Sequence, residues 1–149
     1  MAKALAVFSA TWNGIPLLYS GQELPNLKRI KFFDKDTIAW TGSNQLHEFY
    51  KTLLNLHTNH PALRGGDSQV KTFRIKTSDA KNVFAFLRKN GIKEVLVILN
   101  MSGEKDLHFD ITDEKVAGVF RNAFSGAESD FNITRSFEMQ PWEFLIYEK

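Results

Sequence analysis

Gly14-Ile15-Pro16-Leu17-Leu18-Tyr19-Ser20-Gly21-Gln22-Glu23 is an unbroken apolar run with a polar end. A strand that is apolar at successive positions, rather than at alternate ones, has the pattern of a parallel strand covered on both faces. Its flanks agree with that reading. Ala2 to Trp12 is small and apolar nearly all round, a helix expected to be buried on several sides, with Asn13-Gly14 as its C-cap. Downstream, Gly42-Ser43-Asn44 offers N-cap candidates for a second helix. There Leu46, Phe49, Tyr50, Leu53, Leu54 and Leu56 recur at helical spacing and His60-Pro61 forms the stop. Helix, parallel-type strand, helix is a portion of an α/β barrel or layered sheet, never a whole one.

Past the turn-forming cluster Arg64-Gly65-Gly66-Asp67 the apolar period changes to two. Val70, Thr72, Phe73 and Ile75 lie in one expected strand, and Val83, Phe84 and Phe86 begin a second. The Lys89-Asn90-Gly91 turn leads into Val95-Leu96-Val97-Ile98-Leu99. Leu107, Phe109 and Ile111 alternate with His108 and Asp110. Val119 to Phe124, Phe131 to Met139 and Phe144 to Tyr147 complete a set of short strands that reads as an antiparallel β-sandwich. The expected division is therefore an α/β segment over 1–64 and a sandwich over 65–149, the latter expected to fold independently.

Composition narrows the function classes. The chain has 149 residues, about one domain's worth, with ordinary apolar and charged fractions. Its net charge of +2 comes without any Lys/Arg block, which argues against nucleic acid or an anionic membrane as partner. The longest strongly apolar run is far short of the ~20 residues that cross a bilayer. The absence of cysteine excludes disulfides and thiolate chemistry. No signal-peptide pattern follows Met1, and the compartment of the whole protein stays open between cytoplasm, periplasm and outside.

The opening stretch resembles the eighth barrel strand of the alpha-amylase family of glycoside hydrolases (family 13), whose signature Gly-x-Pro-x-x-Tyr-x-Gly-x-Glu is matched by Gly14, Pro16, Tyr19, Gly21 and Glu23. Phe32-Phe33-Asp34-Lys35-Asp36-Thr37-Ile38-Ala39-Trp40 is similar to the loop after that strand. Phe49 to Leu54, running on to His60-Pro61-Ala62-Leu63, is similar to the last barrel helix. Gln140-Pro141-Trp142-Glu143-Phe144-Leu145-Ile146-Tyr147 resembles the closing strand of the family's C-terminal sandwich. The resemblance spans essentially the whole chain, in order. It implies a mainly β chain: an antiparallel β-sandwich preceded by the last part of a TIM (β/α)8 barrel. A complete barrel needs about 250 residues, so most of it would lie upstream of Met1.

The resemblance also implies a retaining reaction on α-glucans. Such chemistry needs two carboxyl groups about 5–5.5 Å apart, nucleophile and acid/base. The family carries these, and a third carboxylate, on its fourth, fifth and seventh strands, so none maps onto this chain and no catalytic residue is assigned. Glu23 stands at the active-site end of its strand, as an ion-paired brace or an active-site group. Tyr19 and Trp40 are the candidates for sugar contact, with packing the alternative for Tyr19 and burial for Trp40. Trp12 and Trp142 would serve a surface site only if two rings stood exposed side by side. Asp34 and Asp36 read as solvated, and His57 and His60 as structural or solvated rather than a metal pair; no metal and no cofactor is expected. Gly65-Gly66 reads as a hinge. The implied partners are an α-glucan and the remainder of the barrel. The unpaired strand edges predict self-association through Leu17, Leu18 and the Ala2–Trp12 helix, or disorder over 1 to about 25.

Overall fold

In a computed structural model the chain is described over residues 1–24 and 28–149. Among the described residues two α-helices, α1 (Ala2–Thr11) and α2 (His47–Asn59), are followed by a 3-10 turn, Pro61–Leu63. Eight strands come next: β1 (Lys71–Ile75), β2 (Val83–Asn90), β3 (Lys93–Asn100), β4 (Leu107–Asp110), β5 (Val119–Asn122), β6 (Glu128–Asp130), β7 (Ser136–Met139) and β8 (Phe144–Glu148). Six strands form one antiparallel sheet in the order β1-β2-β3-β8-β5-β6, and β4 pairs with β7 in a second, two-stranded sheet. The β2–β3 hairpin turns at Gly91-Ile92, where Gly91 takes a positive φ of 60° that a side chain would resist.

The Val95–Leu99 run is apolar at every position because the large sheet is buried on both faces. Leu96 and Ile98 point between the two sheets, into a core shared with Val83, Ala85, Leu87, Phe109, Phe120, Phe131 and Met139. Val95, Val97 and Leu99 point the other way and, with Phe86 and Ile146, meet Val7 and Ala10 of α1 and Phe49, Leu53 and Leu56 of α2. The molecule thus has three layers, helices over the six-stranded sheet over the two-stranded sheet. Residues 1–64 and 65–149 share one of their two cores instead of each owning its own.

Polar bonds reinforce that joint. Arg88, fully buried on the helix-facing side of β2, donates from Nε to the Ala62 carbonyl (3.2 Å) and from Nη1 to Thr72 Oγ1 (2.9 Å). Thr72 Oγ1 in turn donates to Asn13 Oδ1 just beyond α1. Asn90 Nδ2 donates to the Pro61 carbonyl and to Asp67. His57 Nδ1 donates to the Ala10 carbonyl at 2.7 Å, tying the two helices together.

Four expectations are corrected. Ile15 to Tyr19 forms no strand: the segment is irregular, with Ile15 86 % and Leu17 83 % exposed. A strand of this type takes its hydrogen bonds from neighbours on either side, and none of the described strands lies beside it. Helix α1 buries one stripe, Ala4, Val7, Ala10 and Thr11, while Leu5 stays exposed. The Gly42–Asn44 cluster does not cap α2 with a side chain; the helix starts at His47, with Leu46 as its N-cap, after a turn in which the Asn44 carbonyl accepts the His47 N–H. Gly65 packs tightly rather than acting as a free hinge, because a Cβ there would stand 3.0 Å from the Gly14 carbonyl oxygen.

Candidate functional site

The signature residues that lack a strand instead help to wall a cavity of 980 Å³. One side is the first turns of α1, with Leu5 and Ser9; another is the turn Tyr19–Leu24; Tyr50 of α2 and Trp142, in the loop between β7 and β8, close the rest. The Tyr19–Leu24 turn is built locally. The Tyr19 N–H donates to Gln22 Oε1 (2.6 Å), the Gln22 N–H to the Tyr19 carbonyl (3.1 Å), and the Leu24 N–H to the Gly21 carbonyl (3.1 Å). Gly21 has φ +85°, and a Cβ on it would lie 2.8 Å from Ile38 Cγ2, so both conformation and space demand glycine. Trp142 has φ +58°, uncommon for a non-glycine residue, and its N–H donates to the Ser102 carbonyl. Nothing in the sequence around Gln140-Pro141-Trp142 signals that backbone state.

Of the five signature residues, Gly21 and Tyr19 reach this cavity, and of the tryptophan candidates Trp142 does. Tyr19 is 58 % exposed. Glu23 is half-buried and acts through its backbone, its carbonyl accepting the Leu46 N–H at 3.1 Å. Among the described residues its carboxylate has no ion-pair partner. Burial, and secondarily the Glu23 charge, push the Tyr50 hydroxyl pKa above its usual value. Gly14 and Pro16 lie outside the cavity walls, beside Gly65 and α2 respectively.

Trp40 is 63 % exposed on the loop after this turn, and Phe32 and Phe33 on the same loop are 90 % and 94 % exposed. Their two rings are edge-on to each other, 78° between planes, so they present no flat double platform for a sugar. Trp12 packs into the helix-facing core against Phe86, centroids 4.9 Å apart. The Asp36 expectation is corrected: its carboxylate pairs with Lys28 and accepts the Lys31 and Thr37 N–H groups. Lys28 is the main reason its pKa drops to about 2, with those N–H donors next. Asp34 is exposed beside Lys31. His60 is buried, and its Nδ1 accepts the Ala62 N–H; burial lowers its pKa, while the Glu148 carboxylate pulls the other way.

Glu143 is the carboxylate lining the large cavity, and it accepts the Gln140 N–H at 2.6 Å. Among the described residues the cavity walls hold no second carboxyl to pair with it, and no trio of His, Cys, Asp or Glu is arranged to hold a metal ion.

An all-β double layer whose outer sheet face is roofed by two helices defines the class: a C-terminal sandwich domain joined to the helices that precede it. Residues 75–142 match the family described as "Alpha amylase, C-terminal all-beta domain". The chain is homologous to the C-terminal part of alpha-amylase family (family 13) glycoside hydrolases. Alpha-amylase 2 of Dictyoglomus thermophilum is 25 % identical over 138 residues, covering 85 % of this chain. The maltogenic alpha-amylase AmyB of Thermotoga neapolitana superposes with a TM-score of 0.75 at 18 % identity over 98 % of the chain. AmyP solved with maltotriose superposes at 0.68 with 16 % identity over 99 %. The chain spans 22 % of the length of the Dictyoglomus enzyme and about a third of the solved chains (35 % and 34 %).

Proposed function

We propose that this chain is the C-terminal part of a glycoside hydrolase acting on starch-type α-glucans. In this reading residues 1–64 are the closing portion of its barrel, residues 65–149 the sandwich that covers the barrel's outer helices, and the catalytic carboxylates are supplied by chain that precedes them. The observation that carries it is the burial of Phe86, Val97 and Ile146 of the sheet under α1 and α2 while Ile15 and Leu17 between those helices stay exposed. Helices that have already buried one face on the sandwich, bracketing an apolar segment with no strand neighbours, are what a barrel's last turn looks like without the other strands. The unmatched apolar segment is then the contact for the remainder of the barrel or, failing that, for a second copy of the chain.

The test is hydrolysis of maltooligosaccharides by the 149-residue chain and by a chain extended upstream in frame. The short chain should release no reducing ends and the extended one should. Turnover by the short chain would refute the reading. A non-catalytic carbohydrate-binding or assembly role is the alternative, favoured by the exposed Trp40; sugar affinity lost in Trp40→Ala, without turnover in either chain, would select it.

A further inference from the structure

The dipeptide Asn-Gly occurs twice in the chain, at Asn13-Gly14 and Asn90-Gly91. At each, the glycine backbone nitrogen, unshielded by a Cβ, can attack the asparagine side-chain carbonyl carbon and close a cyclic imide. The fold treats the two differently. Asn90 ends β2 with its backbone in register against Lys93, and its Nδ2 donates to the Pro61 carbonyl and to Asp67. The nitrogen that would have to leave is thereby held in place. Asn13 is exposed on the irregular segment just past α1. Among the described residues its Nδ2 has no partner, the Gly14 N–H has no acceptor, and Gly14 has open space where a Cβ would stand.

The side-chain carbonyl of Asn13 is also activated. Thr72 Oγ1 donates to Asn13 Oδ1 at 3.2 Å, and the same hydroxyl accepts from Arg88 Nη1 at 2.9 Å. Thr72 and Arg88 stand directly opposite each other in the β1–β2 ladder, and Arg88 is fully buried, so the sheet fixes the pair. A cation behind the hydroxyl strengthens it as a donor. The hydroxyl is aimed at the oxygen that gains negative charge as the imide closes, which is where a pre-set donor accelerates reaction at a carbonyl.

We propose that Asn13-Gly14 is a self-modifying site, a deamidation centre in which Thr72, polarised by Arg88, is the oxyanion donor. Hydroxide takes the Gly14 N–H proton as the nitrogen bonds to Asn13 Cγ. The Cγ–Nδ2 bond then breaks, and the amide takes a proton from water and leaves as ammonia. Water next opens the imide at one carbonyl or the other, leaving aspartate or isoaspartate at 13. No oxidant or reductant takes part. The product puts a negative charge between α1 and the 14–23 segment, and the isoaspartyl form adds a carbon to the backbone there. The inference is independent of the glycosidase reading.

The test is incubation of the intact 149-residue chain at mildly alkaline pH, folded and in urea, with peptide mapping by mass spectrometry and isoaspartyl methyltransferase labelling. In the folded chain product is expected at 13 and not at 90, with a rate at 13 above that in urea; in urea both positions should react. Thr72→Val should slow the reaction at 13 roughly three- to tenfold, the effect of one hydrogen bond, and Thr72→Ser should restore it. Equal reaction at 13 and 90 in the folded chain would overturn the proposal. So would an unchanged or faster rate at 13 in Thr72→Val, the result if the hydroxyl merely tethers the segment. If Thr72→Val loses its fold, seen as product at 90, the natural chain decides alone: a rate at 13 lower when folded than in urea would overturn the proposal.

Discussion

A polypeptide of residues 65–149, lacking α1 and α2, should fail to fold cooperatively. Phe86, Val95, Val97, Leu99 and Ile146 are all 0 % exposed in the intact chain, and their cover comes from α1, α2 and the Pro61–Leu63 turn. Returning five such side chains to water costs about 1.5–3 kcal/mol each, roughly 7–15 kcal/mol in all. A domain of this size has only about 5–15 kcal/mol to lose. Arg88 would also lose the Ala62 carbonyl that it binds. The assay is thermal unfolding by circular dichroism together with sedimentation, on 65–149 and on 1–149. The short polypeptide should show no sharp transition, or should associate through the bared sheet face. A monomer that melts cooperatively within a few degrees of the intact chain would refute the argument that the two parts share a core. It would restore the independent fold that the strand pattern alone suggests.

Arg88→Met keeps the volume of a long side chain but removes both donors, leaving the Ala62 carbonyl unpaired. Urea denaturation should show a loss of about 2–4 kcal/mol, and an unchanged midpoint would mean that the buried cation contributes nothing to the joint. His60 has a folded pKa below its unfolded value of about 6.5, so the stability it carries is complete above that pH and is lost as pH falls through the folded value. The groups acting on it are Glu148, Lys93 and the Lys149 backbone, and protonation removes the acceptor that holds the Ala62 N–H. The melting temperature should therefore drop between about pH 7 and 5 and His60→Asn should flatten that slope; an equal slope in both proteins would clear His60. Gly21→Ala places a Cβ against Ile38 at φ +85° and should destabilise the turn by about 1–2 kcal/mol. Faster hydrogen exchange at Gln22 and Leu24 would report it, and unchanged protection would show that the turn tolerates the residue.

Some elements were legible because their causes are local. The end of α2 at His60-Pro61 follows from the constraint proline imposes on the residue before it, and the helix stops at Asn59. The Gly91 turn between β2 and β3 is readable from its glycine and the flanking apolar runs. Other elements gave no local sign. Strand β6, Glu128–Asp130, is polar throughout and exists only because β5 offers it an edge. Arg121 and Glu148 stand opposite each other in the β5–β8 ladder although they are far apart in sequence, and no spacing rule foretells that meeting. Ile15 to Tyr19 is the converse case, a strand pattern without a strand, since a parallel strand's hydrogen bonds belong to its neighbours.

The sequence by itself determined the family likeness and the change of period after residue 64. These are properties of residue identity and spacing along one chain. The tertiary structure alone decided that both faces of β3 are buried, that helices and sandwich share a core, and that the signature turn meets Trp142 across a cavity. Each of those is a meeting of surfaces distant along the chain, and apolar burial is proportional to area removed from water without regard to which residues supply it. A pattern can say that a face must be covered; only the assembled fold says by what.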